Sequence, residues 1–328
     1  MKTGFLTLLM VLAMVFTGCQ AQTYKVVPSK NYVTQRVNLG NVSSLTTYSF
    51  VDIIYKPSSG PAYAEVYAPD NIAKYVKLEE KGGELKVIFK VPGTNSYSIN
   101  GKYTCEVRVY APSVTSFCTL SSGDIKIDGD LNTRKDISLQ TNSSGDIDAR
   151  DLRCATLNIQ TNSSGDIEAG NVECSKLVMC TNSSGDVSLE KANCDKAFLS
   201  TNSIGDCKVS TLVCQNNVDA TANSSGDIFV SGSCRQAAFS ANSSGDINAS
   251  GLKAAKVSAV INSSGDITCH ASQSVSAYCY SSGNIGYSGN PSKVETSKTE
   301  PIKVETSKTE PIKVETSKTE PAKLEMPA

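Results

Sequence analysis

The chain has 328 residues, enough for two ordinary domains once processing and tail segments are set aside, and it carries 31 Lys and Arg against 32 Asp and Glu. That balance leaves no basic field to recruit nucleic acid, and the few aromatics are not interleaved with Arg or Lys. Ser, Thr, Asn, Val and Ile outweigh runs of helix formers at 3.6 spacing, so the composition favours strands joined by tight turns.

The first element is an address. Lys2 supplies a positive start and residues 5–16 form a 12-residue apolar run, short for a bilayer span but suited to a signal peptide. Phe16-Thr17-Gly18-Cys19 comes next, and small residues just before a cysteine resemble the lipobox of bacterial lipoproteins, with Phe16 where Leu is usual. That resemblance implies a signal peptide over 1–18, a lipid on Cys19 that holds the chain to a bilayer, and a linker over 19–34. An ordinary signal peptide cleaved after Ala21 is the alternative. Gln20 resembles the sorting choice for the outer membrane, whereas the residues after Cys19 lack the acidic cluster that resembles a surface-export signal in some bacteria.

Residues 35–116 read as a non-repetitive β-strand head. Runs such as Val51–Tyr55, Glu84–Phe89 and Tyr103–Tyr110 alternate in polarity, and Ser58-Ser59-Gly60-Pro61, Lys81-Gly82-Gly83 and Pro92-Gly93 punctuate them. Such a head is expected to pack as a cap on the region that begins at 117.

Residues 117–289 repeat. The phrase Asn-Ser-Ser-Gly-Asp-Ile recurs with its glycine at 123, 145, 165, 185, 205, 226, 245, 265 and 283, a period of 18 to 22 residues and mostly 20. That is the signature of a stacked solenoid, here an all-β parallel β-helix of about nine rungs of ~20 residues. Aligned on the glycine, apolar columns stand two and four residues after it and six and eight before it, so each rung should hold two or three short strands with one face buried. Four before the glycine, Thr141, Thr161, Thr181 and Thr201 give way to Ala222, Ala241 and Ile261, which marks a tight inward position rather than an exposed threonine array for ice.

Stacking at about 4.8 Å places Asn142, Asn162, Asn182, Asn202, Asn223, Asn242 and Asn262 in a ladder able to pass amide hydrogen bonds from rung to rung. The glycine is expected to supply the positive φ of the turn. The Asp column, with Asp146, Asp166 and Asp186 at its centre, stacks like charges that need backbone N–H groups or counterions. Calcium on those three is the metal alternative, although the phrase is not the nonapeptide of calcium β-rolls. Cys154, Cys174, Cys194, Cys214 and Cys234 form another column, each 20 apart. Parallel side-chain vectors and an odd number argue for free packed thiols over disulfides, and no Cys-x-x-Cys or His partner suggests a metal.

Catalysis has little to draw on, and no cofactor is expected. His270 is the single histidine and reads as a surface residue. Tyr97, Tyr103, Tyr278 and Tyr280 are the aromatic candidates for a sugar, and Trp is absent. From residue 290 to 328, near-identical decapeptides starting at 293, 303 and 313 form a charge-balanced tail with too few apolar groups to fold alone, hence a disordered tether. The last strand edge needs a guard, either this tail or an incomplete final turn.

The head leading through Val107-Arg108-Val109-Tyr110-Ala111-Pro112 into rungs of Ser-Gly-Asp-Ile resembles the auto-transporter adhesin, head GIN domain family, over roughly residues 35–287. The resemblance implies an exported, often lipidated bacterial protein whose β-strand head grades into a β-helix, and it brings no catalytic residues. The expected function is a non-catalytic outer-membrane lipoprotein presenting a rigid surface to a protein or glycan ligand. A periplasmic structural or stress-related lipoprotein and a β-helix enzyme acting on polysaccharide are the other readings.

Overall fold

The computed structural model describes residues 23–94 and 96–297. The signal segment and Cys19 lie outside the described residues, as does the tail beyond Ser297. The head comprises β1 (Tyr24–Val26), β2 (Tyr32–Asn38), β3 (Ser44–Thr47), β4 (Asp52–Pro57), β5 (Tyr63–Pro69), one helical turn α1 (Asp70–Ala73), β6 (Val76–Lys81), β7 (Glu84–Phe89), β8 (Tyr97–Ile99) and β9 (Glu106–Ala111). Among the described residues no helix is long and apolar enough to cross a membrane.

The solenoid continues as β10 (Ser116–Thr119), β11 (Ile125–Ile127), β12 (Leu131–Asn132), β13 (Ile137–Thr141), β14 (Ile147–Ala149), β15 (Leu152–Thr161), β16 (Ile167–Thr181), β17 (Val187–Thr201), β18 (Cys207–Ala222), β19 (Ile228–Ala241), β20 (Ile247–Ile261), β21 (Ile267–Cys279), β22 (Ile285–Ser288) and β23 (Lys293–Ser297). Every rung pairs with the next in parallel. From β16 to β21 the separate short strands expected from the sequence fuse into single strands of 13 to 16 residues. Their bends are written in the burial pattern. In β17, inward and outward residues alternate except at Glu190-Lys191 and Asp195-Lys196, where two successive residues face out. Those pairs are corners. With the Asn-Ser-Ile-Gly-Asp turn at 202–206 they give the rung three sides around one core.

The core is a set of stacked columns. One runs in register from Leu85 through Leu45, Phe117, Leu139, Ile159, Met179, Leu199, Ala220, Phe239 and Ala259 to Ala277. Phe239 lies between two alanines, so neighbouring rungs compensate volume and the packing stays close.

Spatial order departs from chain order in the head. β3 and β4 pair in parallel with β10 and β11 on one side and with β7 and β9 on the other. Residues 44–57 are therefore a rung of the solenoid already, sandwiched between an outer rung built later in the chain and the first repeat. The head is continuous with the repeats rather than a separate block ending at 116. Antiparallel strands close the outside: β6 on β7, and β5 on β9 with β2 beyond it. β2 and β6 carry exposed Thr34, Gln35, Arg36, Lys77, Glu79, Glu80 and Lys81, which blunts this end against edge-to-edge pairing.

At the other end the expectation of a disordered tail starting at 290 needs correcting. β23 pairs in parallel with β21, Ser274 opposite Lys293 through Tyr278 opposite Ser297. The edge of β21 offers backbone donors and acceptors, and Val294 and Thr296 continue the inward alternation beside Val275 and Ala277. Both guards foreseen for this edge are in place, a short final strand (β22) and the start of the tail.

Candidate functional site

The repeated corner is the densest polar feature of the molecule, and three ladders run along it. Thr119, Thr141, Thr161, Thr181 and Thr201 are fully buried, and each hydroxyl donates to the corner-glycine carbonyl of the next rung at 2.7–2.9 Å. In the asparagine ladder, Nδ2 of Asn162, Asn182, Asn202, Asn223, Asn242 and Asn262 donates to Oδ1 of the preceding member at 2.7 Å in every step. Asn142 begins it by donating to Cys118 Sγ at 3.2 Å, and Tyr280 takes the position where the next Asn would stand.

The aspartates solve their repulsion through the backbone. Oδ1 of Asp124, Asp146, Asp166, Asp186, Asp206, Asp227 and Asp246 each accepts the N–H of the next Asp at 2.7–2.9 Å, and Asp266 accepts that of Asn284 at 2.7 Å. One oxygen per carboxylate is thereby committed. Among the described residues no three His, Cys, Asp or Glu side chains converge as a metal site, including around Asp146, Asp166 and Asp186. The ladder starts one rung earlier than the repeat phrase suggests, because Asp124 N donates to Asp52 Oδ1 at 3.0 Å.

Asp52 and Asp206 are the ladder members pushed upward by burial and neighbouring charge, and Asp52 is the one at the joint with the head. Burial pushes its carboxyl above the usual range, the Asp124 N–H works against that, and the charges of Asp124 and Glu106 push it further up. The folded protein thus holds this proton more tightly than the unfolded chain. The ionised form costs stability at neutral pH, and that cost disappears as pH falls through the raised folded-state pKa. Asp52→Asn keeps the acceptor and drops the charge. Its unfolding midpoint should rise by a few degrees at neutral pH, about 1 kcal/mol, and the gain should vanish in acid. Thermal unfolding of both proteins against pH checks this; a gain independent of pH would point away from the Asp52 charge.

The glycine of the corner has a different role from the one expected. None of the nine corner glycines has a positive φ. A Cβ on Gly165 or Gly185 would instead meet the carbonyl oxygen of the preceding corner glycine at 2.2 Å. The column is glycine because backbone stacks on backbone there.

The eleven described cysteines are free thiols. Cys154 faces Cys174 and Cys194 faces Cys214 in register, and Cys214 Sγ donates to Asp195 O at 3.3 Å and Asn217 O at 3.2 Å. The facing thiol, then burial, holds Cys174 and Cys194 well above the ordinary thiol range, the same contact lowers Cys154 and Cys214, and burial pushes Cys234 up to about 12. All five thiols of the column are buried and pack well, and those held protonated react slowly. His270, read as a surface residue, is half-buried with Nδ1 3.0 Å from Ser288 Oγ.

The aromatic candidates divide. Tyr97 and Tyr103 join Phe50 and Phe89 in a ring cluster within the head, and burial pushes Tyr103 up to about 12. Tyr278 lies under β23, whereas Tyr280 is 67% exposed. Sequence reasoning missed a second group on the outer face of β9–β5–β2. Tyr110 stacks on Tyr63 at 4.5 Å with Arg36 3.6 Å beyond, and Tyr67 stacks on Tyr32 at 5.0 Å with Arg108 4.7 Å from Tyr67. Stacking within the rows already covers both faces of Tyr63 and Tyr67, so these rings are not open platforms for a sugar.

What the corner can do chemically is stiffen. Three hydrogen-bond ladders on one edge resist bending and fix the rung register, and the columns that face outward vary without a local break. Residues 43–213 and, overlapping, 180–291 match the family model described as "Putative auto-transporter adhesin, head GIN domain". The chain belongs to this family. The GIN-domain match begins one residue before β3, so it takes in the head rung at 44–57 as well as the repeats. Among solved structures, one described as a "putative lipid binding protein" from Parabacteroides distasonis is 22% identical, covering 87% of this chain and 100% of that one, with a TM-score of 0.46. Two described as "putative adhesin", from Parabacteroides merdae and Parabacteroides distasonis, are each 18% identical, with coverage of 87% and 100%, and 86% and 99%, and TM-scores of 0.47 and 0.48. No curated protein matches the chain.

Proposed function

We propose that the chain is a non-catalytic exported lipoprotein, anchored in the outer membrane through an acyl group on Cys19, that presents a rigid β-helix for adhesion or assembly at the cell surface. The observation that carries this is the unbroken corner: the aspartate ladder links every rung from Asp52 to Asn284 without interruption. A chemical site in a repeat protein changes its columns at one place, and a polysaccharide-cleaving β-helix would gather Asp, Lys and Arg there. Here the ladders favour stiffness along the whole length, on the order of 40 Å for nine rungs. The family's description as an adhesin agrees with an exposed role, and a formal charge of −1 gives no attraction for nucleic acid. The partner is a protein or glycan met by the outer faces of the rod.

The absence of an acidic cluster after Cys19 favours a second reading, a periplasmic structural or stress-related lipoprotein. Protease treatment of intact cells separates the two, followed with an antibody to the Lys/Glu/Thr-rich tail and a periplasmic control. Loss of the tail signal while the control survives is the expected result. Protection until the outer membrane is opened would leave the periplasmic reading.

A further inference from the structure

Charge is uneven along the chain. Residues 23–34, 70–78 and 90–104 of the head hold six lysines (Lys25, Lys30, Lys74, Lys77, Lys90 and Lys102) against one acid, Asp70, although the whole chain sums to −1. The fold puts these three segments side by side. β1 pairs with β8, and Asn100 N donates to Val26 O at 3.0 Å. The Tyr24 and Tyr75 hydroxyls lie 2.8 Å apart, Asn71 Nδ2 donates to Val27 O at 2.9 Å, and Lys90 N donates to Tyr75 O at 2.9 Å.

All six lysines are exposed, and among the described residues none pairs with a carboxylate. Asp70 is already engaged by Ser29 Oγ and Asn31 Nδ2. Of the acids flanking the three segments, Glu79 lies opposite Lys86 on β7, Glu80 accepts the Gly40 N–H at 2.8 Å, and Glu106 pairs with Arg108. Val27 stands in the same patch and, at 72%, is the most exposed large apolar side chain among the described residues, with Tyr24 and Tyr75 half-buried beside it. Lysines around an apolar and aromatic centre suit the boundary between lipid headgroups and water.

Chain length selects the occupant. Only three residues separate Cys19 from Thr23, a reach of at most about 14 Å when fully extended. An acyl group on Cys19 would therefore hold Thr23, and β1 with it, where the surface potential of an anionic leaflet is still felt. We infer that this face of the head docks on the anionic headgroups of the bilayer that carries the lipid. The tether supplies proximity and the lysines set which face turns to the membrane. The choice of a bilayer as occupant rests on the proposed lipidation of Cys19; the charge pattern does not.

Co-sedimentation with vesicles of the chain from residue 20 onward, which keeps every described residue, tests the surface without the lipid. Partitioning onto vesicles of phosphatidylglycerol and phosphatidylcholine in equal parts should exceed that onto phosphatidylcholine alone by at least about tenfold at low salt, and the preference should fade near about 0.5 M salt. Lys25→Glu with Lys90→Glu and Lys102→Glu should remove it. Lys176→Glu with Lys196→Glu and Lys256→Glu makes the same change in net charge at exposed positions of the solenoid and should leave it. Equal partitioning onto the two vesicles overturns the proposal, and so does an equal loss in the two triple variants. The mass of the mature N-terminal peptide from cells tests Cys19 separately: an unmodified cysteine beside a retained preference would sink the lipidation and support the basic face.

Discussion

Gly185→Ala is expected to destabilise the protein by at least about 3 kcal/mol and to loosen the rungs on both sides of the substitution. The added Cβ would sit 2.2 Å from Gly165 O and 3.0 Å from Gly165 C, both backbone atoms locked into the corner. No side chain can rotate away to relieve the contact. Gly165 is itself packed on Gly145 at the same distance, so a shift in one rung meets the next. Each rung depends on its neighbours, and the damage should spread as local opening before global unfolding. The cause is contact rather than dihedral strain, because the corner glycines have no positive φ. Asn at 185, which tolerates left-handed backbone, should therefore do no better than Ala. Gly93 is the control: its φ is +77° and a Cβ there meets nothing within 4 Å, so Gly93→Asn should cost under about 1 kcal/mol. Urea unfolding with amide exchange across residues 160–210 compares the three. If Gly185→Asn proved as mild as Gly93→Asn, backbone contact would not be what makes this column glycine.

Much of this was legible from spacing alone. The apolar columns followed from a period of two inside a period of 20, and the strand period leaves little choice about which side chains face in. The asparagine ladder followed once rungs were stacked in register. The corner glycine shows the limit, since a required glycine looks the same in sequence whether it serves a positive φ or a close approach. Residues 44–57 were hidden as a rung because their corner reads Thr47-Tyr48-Ser49-Phe50-Val51-Asp52, without the repeated phrase. Thr47, Ser49, Asp52 and Ile53 keep the spacing of their columns but the Asn and Gly are lost, and Asp52 does accept the next rung's N–H. The Tyr–Arg rows were hidden for another reason. They need β2, β5 and β9 side by side, and those strands are far apart in the chain. At the C-terminal end, composition argued against any fold for the tail, yet five of its residues are held because β21 supplies an edge that a free peptide lacks.

Tyr55 is where the head and the repeats are joined, and Tyr55→Phe is expected to cost about 1–3 kcal/mol although it removes a single oxygen. The side chain is fully buried, its ring 5.3 Å from that of Phe117. Its hydroxyl donates to Ala111 O at 2.8 Å and accepts from Val114 N at 3.4 Å. Residues 111–114 carry the chain from the outer head rung past residues 44–57 to the first repeat, the crossover that chain order does not suggest. Phenylalanine leaves Ala111 O with the 3.2 Å bond from Ser58 N and takes away the Val114 acceptor, with Ala111 and Val114 both buried. Tyr55→Ala adds a cavity beside Phe117 and should cost about 3–5 kcal/mol. Tyr280→Phe, at a 67% exposed ring, should change stability by less than about 0.5 kcal/mol. In Tyr55→Phe, amide exchange should quicken first over residues 111–119, with the rungs beyond Gly185 unchanged. Uniform loss of protection along the solenoid would instead mean that head and repeats unfold as one unit, and that Tyr55 sets the stability of the whole rod rather than of its joint.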